Sequence, residues 1–411
     1  MARTEWQRLN QTQISLARRQ YLLPTPRMKI DRRHMLFSAA ALSASACATQ
    51  PKSAWPVVSV SPQLPGAPLQ ISESRLQKIT VCTRPFRPSG PRIEAERMDE
   101  KTVIHNYGHG GSGWSLSWAC AAEAADLVRA TDASQVAIIG AGVIGLTTAL
   151  TLARSGLAVT IYAAEMPSQT RSARATGVWS PSSRIGLKSA VPDGFEARWE
   201  AWARASYQTH ESYLNSAASP VDSIQFYQLN DGTPRQGTPE TLDFLHLWRR
   251  LQDLAPGNRT LFAHEHAFPV DSVRVRPELA FNIAAYTDRM VQEFLGLGGQ
   301  MVQRSFQHRS EALGLNSAVI VNCTGYGAKA LWGAEELVPV RGQINWMPAQ
   351  PEARYGVFFK DVYMLSRRDG LVVQFVGQND DFGYGIEDEA PDDDEMRRAI
   401  KRAAPLFAGW S

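Results

Sequence analysis

The stretch QVAIIGAGVIGLTTALTLARSGLAVTIYAAE, residues 135–165, decides the fold of this chain. A β-branched run at 136–139 leads into the G-x-G-x-x-G loop of residues 140–145, and an apolar run with helical spacing follows it. A second apolar run, 158–163, comes after Gly156. Strand, glycine loop, helix and strand within about 30 residues are the full context that a dinucleotide-binding motif requires. The stretch therefore predicts an α/β fold with a Rossmann-type domain.

The glycines of this loop have separate tasks. Gly140 makes the tight turn, Gly142 lets the backbone approach a pyrophosphate, and Gly145 allows the helix to pack closely on the strand. The free N–H groups and the dipole at the helix N-terminus favour the anion. Glu165 lies where an acid meets the ribose hydroxyls. The alternative is a glycine turn in a βαβ unit that binds no nucleotide. The predicted cofactor-binding residues of this stretch are Gly140, Ala141, Gly142, Val143, Ile144, Gly145 and Glu165.

Length, charge and cysteine spacing exclude several classes of protein. A chain of 411 residues is long enough for two or three domains. The net charge is only +3 and no Lys/Arg block is present, so no nucleic-acid partner is expected. The four cysteines are far apart and have no partners at metal-ligand spacing, so neither a disulfide framework nor a metal site is predicted.

The first 76 residues are predicted to be an export signal followed by a linker. Twin arginines at 32–33 precede a short apolar run, and an A-x-A pattern at 44–46 stands just before Cys47. Residues 1–47 therefore predict a twin-arginine export signal and a periplasmic location, with Cys47 as a possible lipid tether to a membrane. The alternative is a basic extension on a cytoplasmic protein. Residues 48–76 are rich in Pro, Ser and Ala, which predicts a linker.

Five further segments carry a resemblance to a known family: TRPFRP (83–88), HNYGHGG (105–111), RSARATGVWSP (171–181), VIVNCTGYGAKAL (319–331) and PVRGQINW (339–346). With them, most of residues 77–411 resembles the D-amino-acid oxidase family of FAD enzymes. The resemblance implies a Rossmann-type FAD-binding domain beside a substrate domain with a mixed or antiparallel sheet. It also implies FAD as cofactor, and oxidative deamination of D-amino acids with O2 to 2-oxo acids, ammonia and hydrogen peroxide.

The order of these segments differs from that of the family. There the G-x-G-x-x-G strand opens the chain, and the Arg-Pro strand and the HNYGHGG helix close it. Here the closing segments come first, joined to the opening strand through residues 129–134. We predict a circular permutation; the alternative is a rearranged fragment that does not fold. The predicted parts are 77–134 (the permuted C-terminal part), 135–190 (the Rossmann core), 191–300 (a substrate-domain insertion), 301–335 (the rest of the FAD domain) and 336–411 (the substrate domain).

Three residues take catalytic roles under the resemblance. Arg84 matches the arginine that binds the substrate carboxylate, a task that suits the planar, permanently charged guanidinium. Tyr363 matches a tyrosine whose hydroxyl meets the same carboxylate, and Gly111 the glycine whose carbonyl accepts from the substrate amine. Phe359 stands where the family has a second tyrosine, and Ser180 where eukaryotic members tend to have glutamine. These two departures leave the preferred side chain open.

The resemblance also supplies cofactor contacts and leaves two other features without a catalytic role. His105 and His109 are interpreted as satisfied loop histidines, because hydride transfer from a neutral amine needs no base on the enzyme. The acidic run at 387–395 predicts a solvated surface. The implied cofactor contacts are Arg171, Ser172, Thr176, Gly177, Val178, Phe306, Thr324, Gly325, Gly110, Gly111, Ser112, Gly113, Trp114 and Ser115.

Two other functions stay open at this point. One is a related flavin amine dehydrogenase, or an oxidase of the glycine/sarcosine type. The other is a flavin-binding protein whose site has lost turnover.

Overall fold

The structure is a computed structural model. It describes residues 65–214, 216, 218–233, 239–255 and 257–410. The predicted export signal, Cys47 and the first part of the predicted linker lie outside these residues.

Fourteen strands are formed by the described residues. They are β1 (Lys78–Phe86), β2 (Arg92–Met98), β3 (Lys101–Tyr107), β4 (Gln135–Ile139), β5 (Ala158–Ala163), β6 (Val221–Asn230), β7 (Arg259–Phe262), β8 (Ser272–Phe281), β9 (Gln300–Gln303), β10 (Val319–Asn322), β11 (Val338–Met347), β12 (Tyr355–Phe359), β13 (Val362–Arg367) and β14 (Gly370–Phe375).

Seven α-helices accompany them in the described part of the chain. They are α1 (Gly113–Arg129), α2 (Val143–Arg154), α3 (Phe195–Glu211), α4 (Ile283–Gly296), α5 (Arg309–Leu313), α6 (Ala328–Trp332) and α7 (Asp393–Ala403).

A six-stranded sheet carries the Rossmann part, in the order β2-β3-β10-β4-β5-β9. Its five strands from β3 to β9 are parallel, and β2 is an antiparallel edge. The central strand β10, VIVN, is buried at all four positions, as expected for a parallel strand covered on both faces. Helices α1 and α2 pack on each other, and α3 packs on α1. The carboxyl ends of the parallel strands therefore open on one edge of a covered sheet.

An eight-stranded mixed sheet forms the second part, in the order β1-β11-β14-β13-β12-β6-β8-β7. One face packs on α7 in a core that includes Val362, Met364 and Ile400. The other face carries a separate apolar cluster that includes Ile344 and Leu365. Together the two sheets confirm the predicted α/β fold class, with a Rossmann-type domain beside a mixed-sheet domain.

Residues 77–134 contribute to both sheets. β1 pairs with β11 over nine residues, from Lys78 with Trp346 to Phe86 with Val338. β3 lies beside β10, and β2 closes that sheet. From Arg129, at the end of α1, the chain reaches the first Rossmann strand within a few residues. This segment is thus an integral part of the fold.

Two predicted boundaries differ from the structure. The predicted linker 48–76 does not extend over its C-terminal part, because Leu69 and Ile71 are buried in the core under α7. The backbone of Gln70 is also held by two hydrogen bonds with the side chain of Gln350. The predicted substrate-domain insertion 191–300 includes α4, which packs on α2 of the Rossmann part. Apolar spacing along one segment does not show which of two cores it joins.

A search of the described helices finds none that combines the length and the apolarity needed to cross a membrane.

Candidate active site

One cavity of about 580 Å³ lies at the carboxyl ends of the parallel strands. Both glycine loops contribute to its wall, as do the loops that follow β5, β9 and β10. In open α/β sheets the crevice outside these strand ends is the general place of ligand binding. The predicted residues that line it are Arg84, Gly110, Gly111, Gly113, Trp114, Gly140, Ala141, Gly142, Val143, Ile144, Glu165, Arg171, Ser172, Phe306, Thr324 and Gly325.

The loop between β4 and α2 needs glycine for steric reasons. Gly140 has φ 112°, and a Cβ there would overlap the carbonyl oxygen of Cys323. A Cβ at Gly145 would overlap the carbonyl oxygen of Gly140. A Cβ at Gly142 would lie 2.9 Å from Ser172 Oγ, which accepts a hydrogen bond from Val143 N at 3.0 Å. Backbone thus comes close to backbone at two of these glycines, and the third opens the helix N-terminus to the cavity.

The loop between β3 and α1 is held by segments that are distant in sequence. Gly110 has φ 54°, and a Cβ there would overlap the carbonyl oxygen of Arg184. Gly110 N donates to Pro85 O at 2.9 Å, and Gly111 N donates to Ser183 O at 3.0 Å. The end of β1 and the 183–184 turn therefore fix the place of Gly111 in the cavity wall.

Arg84 lies across a glycine on the neighbouring strand. The Arg84 guanidinium lies over Gly342 of β11, in the space that a Cβ at this position would occupy. Arg84 Nη1 donates to Arg341 O at 3.2 Å. The guanidinium is held against the sheet and lines the cavity beside the HNYGHGG loop.

Tyr363 does not line this cavity. Its hydroxyl is buried and has no hydrogen-bond partner among the described residues, and burial raises its pKa well above the usual value. The ring stacks on Phe226, with ring centroids 5.3 Å apart. The pairing registers place Tyr363 opposite Thr80 of β1, three strands away and four residues along the strand from Arg84, so the backbones of Tyr363 and Arg84 are about 20 Å apart. The pairing of these two side chains on one carboxylate stays a prediction.

Six more predicted cofactor residues do not line the cavity: Gly145, Ser112, Ser115, Thr176, Gly177 and Val178. Gly145 packs under its own loop. The serines hold other segments, since Ser112 Oγ donates to Ser183 O and Ser115 Oγ accepts from Ser180 N.

The segment from Thr176 to Val178 attaches to the eight-stranded sheet. Thr176 Oγ1 donates to Gln374 Oε1 at 2.8 Å, and Val178 forms a bridge with Ala280 of β8. Gly177 has φ 81°, with the Arg367 guanidinium at the place of its missing Cβ. Direct contact of these residues with a cofactor stays a prediction.

The two histidines of HNYGHGG differ. His105 is on β3, where Nδ1 is 3.0 Å from Asn322 Nδ2 and Nε2 is 3.1 Å from Glu96 Oε2, so both ring nitrogens have partners. Burial lowers its pKa to about 4. His109 is 2% exposed, burial lowers its pKa to about 3, and its Nε2 has no partner among the described residues. The interpretation as satisfied histidines is therefore wrong for His109.

The acidic run at 387–395 is mostly exposed, as predicted, but Glu389 is half-buried and Glu395 is buried. Glu389 accepts from Thr83 N and Oγ1 at 3.0 and 2.8 Å, and from Arg171 Nε at 2.7 Å. Burial favours the neutral carboxyl, but these bonds outweigh it and hold the pKa of Glu389 below its usual value. Asp392 caps α7 by accepting from Glu395 N. The run fastens the strand of Arg84 to the 171–174 turn.

Several cavity residues were not predicted from the sequence, among them Arg304 and Tyr326. Arg304 and Tyr326 follow β9 and β10 and line the cavity. The Arg304 guanidinium lies 4.7 Å from the centroid of the Phe306 ring. Both residues come just after an apolar run that forms a strand. Because the carboxyl ends of parallel strands meet at one edge of the sheet, this position could have predicted that they line the cavity.

The cavity fits a dinucleotide. Glycine leaves the N-terminus of α2 open to it, and the cations Arg171 and Arg304 stand beside the acid Glu165 in its wall. These are the elements that receive a pyrophosphate and a ribose. The fold and the site thus define a dinucleotide-binding α/β protein.

Comparison with known proteins identifies its family. The family model DAO, described as FAD dependent oxidoreductase, matches residues 135–409. The chain belongs to this family, and the predicted resemblance and the predicted cofactor FAD are confirmed. Two curated relatives named D-amino-acid oxidase come from Dictyostelium discoideum (26% identical, 66% of this chain and 73% of that protein) and Streptomyces coelicolor (28%, 66% and 77%). Glycine oxidase from Geobacillus kaustophilus is a similar solved structure (18% identical, 67% of this chain and 78% of that chain, TM-score 0.46).

Proposed function

We propose that this protein oxidises D-amino acids to 2-oxo acids and ammonia, with FAD as cofactor and oxygen as electron acceptor. The observation that carries the proposal is Arg84, a cation fixed over Gly342 in the wall of the cavity that receives the cofactor. The names of the relatives supply the substrate class. Bound FAD would supply the redox chemistry, as acceptor of a hydride from the substrate and donor of electrons to oxygen.

The residues of the chain bind and orient the substrate. Arg84 binds the α-carboxylate through two parallel N–H···O bonds, which fixes the plane of that group. Gly111, held by its N–H bond to Ser183, offers its carbonyl to the amine. With carboxylate and amine both fixed, the α-hydrogen of only one enantiomer is directed toward the cofactor.

A panel of amino acids tests this function. Holoprotein is mixed with D- and L-enantiomers, and peroxide release is measured in air. We expect peroxide from D-amino acids and none from their L-forms. Reduction by D-amino acids of an artificial dye but not of oxygen would show the dehydrogenase instead. A yellow protein that is inert toward every D- and L-amino acid and toward glycine and sarcosine would show that turnover has been lost.

A substitution series tests the role of Arg84. Arg84→Lys keeps the positive charge but loses the two parallel N–H donors of the guanidinium, and Arg84→Ala loses both. We expect kcat/KM to fall about 10-fold or more in the first and further in the second, with FAD retained. The control is Arg97→Ala, whose side chain is 64% exposed on β2. Loss of FAD together with activity would give Arg84 a structural role.

We also propose that the chain is a circular permutation of the family order. The family model starts at residue 135, yet residues 77–134 complete both sheets. Leu406, near the end of the chain, packs in the same core as Ile79 of β1. A rearranged chain, with residues 135–410 placed before 77–134, should fold and bind FAD with the same affinity. An insoluble product would count against the proposal.

Export through the twin-arginine signal, with Cys47 as a lipid anchor, is a further proposal that rests on the sequence pattern. Cell fractionation of the full chain, compared with Arg32→Lys/Arg33→Lys, tests the route, and Cys47→Ser tests the anchor. If the wild type and the two variants are distributed equally among the cell fractions, both the export route and the lipid anchor are contradicted.

A further inference from the structure

A series of hydrogen bonds leads from the surface of β2 to the wall of the cavity, and none of the roles above uses it. At the cavity end, Thr324 and Gly325 line the wall just after β10. Asn322, the last residue of β10, accepts through Oδ1 from Thr324 N at 3.2 Å and from Thr324 Oγ1 at 2.7 Å. An asparagine that accepts from the backbone two residues further on fixes a tight turn. The Asn322 side chain thus shapes the part of the wall that Thr324 forms.

The other end of the Asn322 amide meets His105 of β3. Asn322 Nδ2 lies 3.0 Å from His105 Nδ1, and His105 Nε2 lies 3.1 Å from Glu96 Oε2 on β2. Asn322 and His105 are fully buried, whereas the Glu96 side chain is 42% exposed and also accepts from Arg92. The hydrogen bonds therefore connect a solvent-exposed ion pair with the cavity wall.

The direction of each bond follows from the groups themselves. A backbone N–H group can only donate, so Thr324 N requires the oxygen of the Asn322 amide, and the NH2 group then faces the His105 ring. Nδ1 of that ring must accept, which leaves the single ring proton on Nε2, where it is donated to Glu96. Only the neutral ring with its proton on Nε2 satisfies both neighbours.

The turn that Asn322 holds also touches the other glycine loop. A Cβ at Gly140 would overlap the carbonyl oxygen of Cys323, so the backbone between Asn322 and Thr324 packs directly on the loop after β4. His105 is itself the first residue of HNYGHGG. Asn322 thus connects the strand that leads into one glycine loop with backbone that packs on the other.

We propose that Asn322 is a positioning residue for FAD, which holds Thr324 in the cavity wall and depends for its own orientation on the neutral ring of His105. Rotation of the amide would remove both bonds to Thr324 and free the turn. FAD should therefore bind more weakly when residue 105 cannot accept from Asn322. The inference concerns the affinity for the cofactor and does not depend on which substrate the protein oxidises.

The pH dependence follows from the protonation of His105. A proton on Nδ1 would place an N–H group against the NH2 group of Asn322. Burial, and after it the charge of Arg92, lowers the pKa of His105 to about 4, although Glu96 acts in the opposite direction. The affinity for FAD should therefore be constant at neutral pH and fall as the pH decreases through about 4. The groups that face the ring are Arg92, Glu94 and Glu96 of β2, Tyr107 of β3 and Trp332 of α6.

The experiment measures the release of FAD and needs no substrate. Holoprotein is diluted stepwise, and the FAD set free is measured by its fluorescence. Asn322→Asp keeps one oxygen for Thr324 but places a second oxygen against His105 Nδ1, so that a proton must be held between them. We expect the Kd of this variant to be near the wild-type value at pH 6 and to rise about 10-fold by pH 9, where the proton is lost. The wild-type Kd should be the same at both pH values.

Two variants of His105 separate the tasks of its ring nitrogens. His105→Asn places an amide oxygen near the position of Nδ1, where it can accept from Asn322, and should keep Kd within about 3-fold of the wild-type value. His105→Gln places its amide near the position of Nε2, where it can donate to Glu96, and leaves Asn322 without an acceptor. We expect its Kd to rise about 10-fold. A residue that only fills space would give no such difference between the two.

Asn316→Asp is the control, because this exposed asparagine before β10 lies outside the series of hydrogen bonds and should leave Kd unchanged at both pH values. Circular dichroism checks that each variant is folded, and if Asn322→Asp does not fold, the two His105 variants decide. The inference is overturned by equal Kd values for Asn322→Asp at pH 6 and pH 9, or by equal Kd values for His105→Asn and His105→Gln. Failure of the protein to oxidise any D-amino acid would contradict the proposed function but not this inference.

Discussion

The two glycine loops of the cavity do the same task by different means. The loop between β4 and α2 is shaped by contacts within the Rossmann unit, where Gly140 meets Cys323 and Gly145 meets Gly140. The loop between β3 and α1 depends on distant segments, the end of β1 at Pro85 and the turn at 183–184. The first loop is therefore shaped within one structural unit, around the six-stranded sheet, whereas the second requires that both sheets have assembled.

Gly145→Val should have the largest effect, because its side chain would overlap backbone that cannot move aside. We expect a loss of about 3 kcal/mol or more in the free energy of unfolding, together with loss of bound FAD. Denaturant unfolding and the flavin absorbance of purified protein measure both. Gly296→Ala is the control, since nothing lies within 4 Å of a Cβ at that position. A stable yellow Gly145→Val protein would contradict the close approach.

Gly110→Ala tests the loop that depends on distant segments. The residue has φ 54° and its Cβ would overlap Arg184 O, so we expect a loss of about 2 kcal/mol in the free energy of unfolding. Because alanine adds one carbon atom and valine adds three, the loss should be smaller than for Gly145→Val. FAD should bind more weakly but remain detectable. An effect as large as that of Gly145→Val would mean that both loops are equally rigid.

Acid should weaken β3, the strand that leads into the second loop, because it carries the buried neutral His105. In the unfolded chain a histidine takes up its proton near pH 6.5, but in the folded chain only near 4. Stability is therefore lost as the pH falls between these values, by about 2 kcal/mol from pH 7 to pH 5 for this residue. In His105→Gln the free energy of unfolding should depend less on pH over this range. If the free energy of unfolding of the variant depends on pH as strongly as that of the wild type, another residue causes the acid sensitivity.

Glu389→Gln should have the smallest effect and tests how β1 is fastened to the 171–174 turn. Its carboxylate accepts from Thr83 and two arginines and is partly exposed, so the loss should be about 1 kcal/mol. Because Thr83 precedes Arg84, KM should rise a few-fold while FAD affinity changes little. Asp394→Asn, an exposed acid beside Arg397, is the control. A change in kcat alone would show that the contact does not position Arg84.

Local sequence patterns predicted the elements that depend on residues close together in the chain. The strand, loop and helix of residues 135–154 needed only the spacing of glycines and apolar residues, and the mixed-sheet domain followed from the resemblance. Contacts between distant segments were not predictable in this way. The burial of Leu69, the lack of a partner for His109 Nε2 among the described residues and the bonds of Glu389 each depend on residues that meet only in the folded chain. Acidic composition indicated a solvated run at 387–395, but composition does not show which arginines lie opposite.

The pairing of β1 with β11 has a consequence for synthesis. Arg84 and Val340 lie on adjacent strands yet are 256 residues apart in the chain. At ordinary rates of translation roughly 10 to 50 seconds pass between the emergence of the two strands from the ribosome. During that interval β1 has an unpaired edge, and such edges attract other strands. Two prolines in this segment, Pro85 and Pro88, reduce that hazard because proline donates no backbone hydrogen bond. The eight-stranded sheet is thus completed late, although its edge strand β1 is synthesised early.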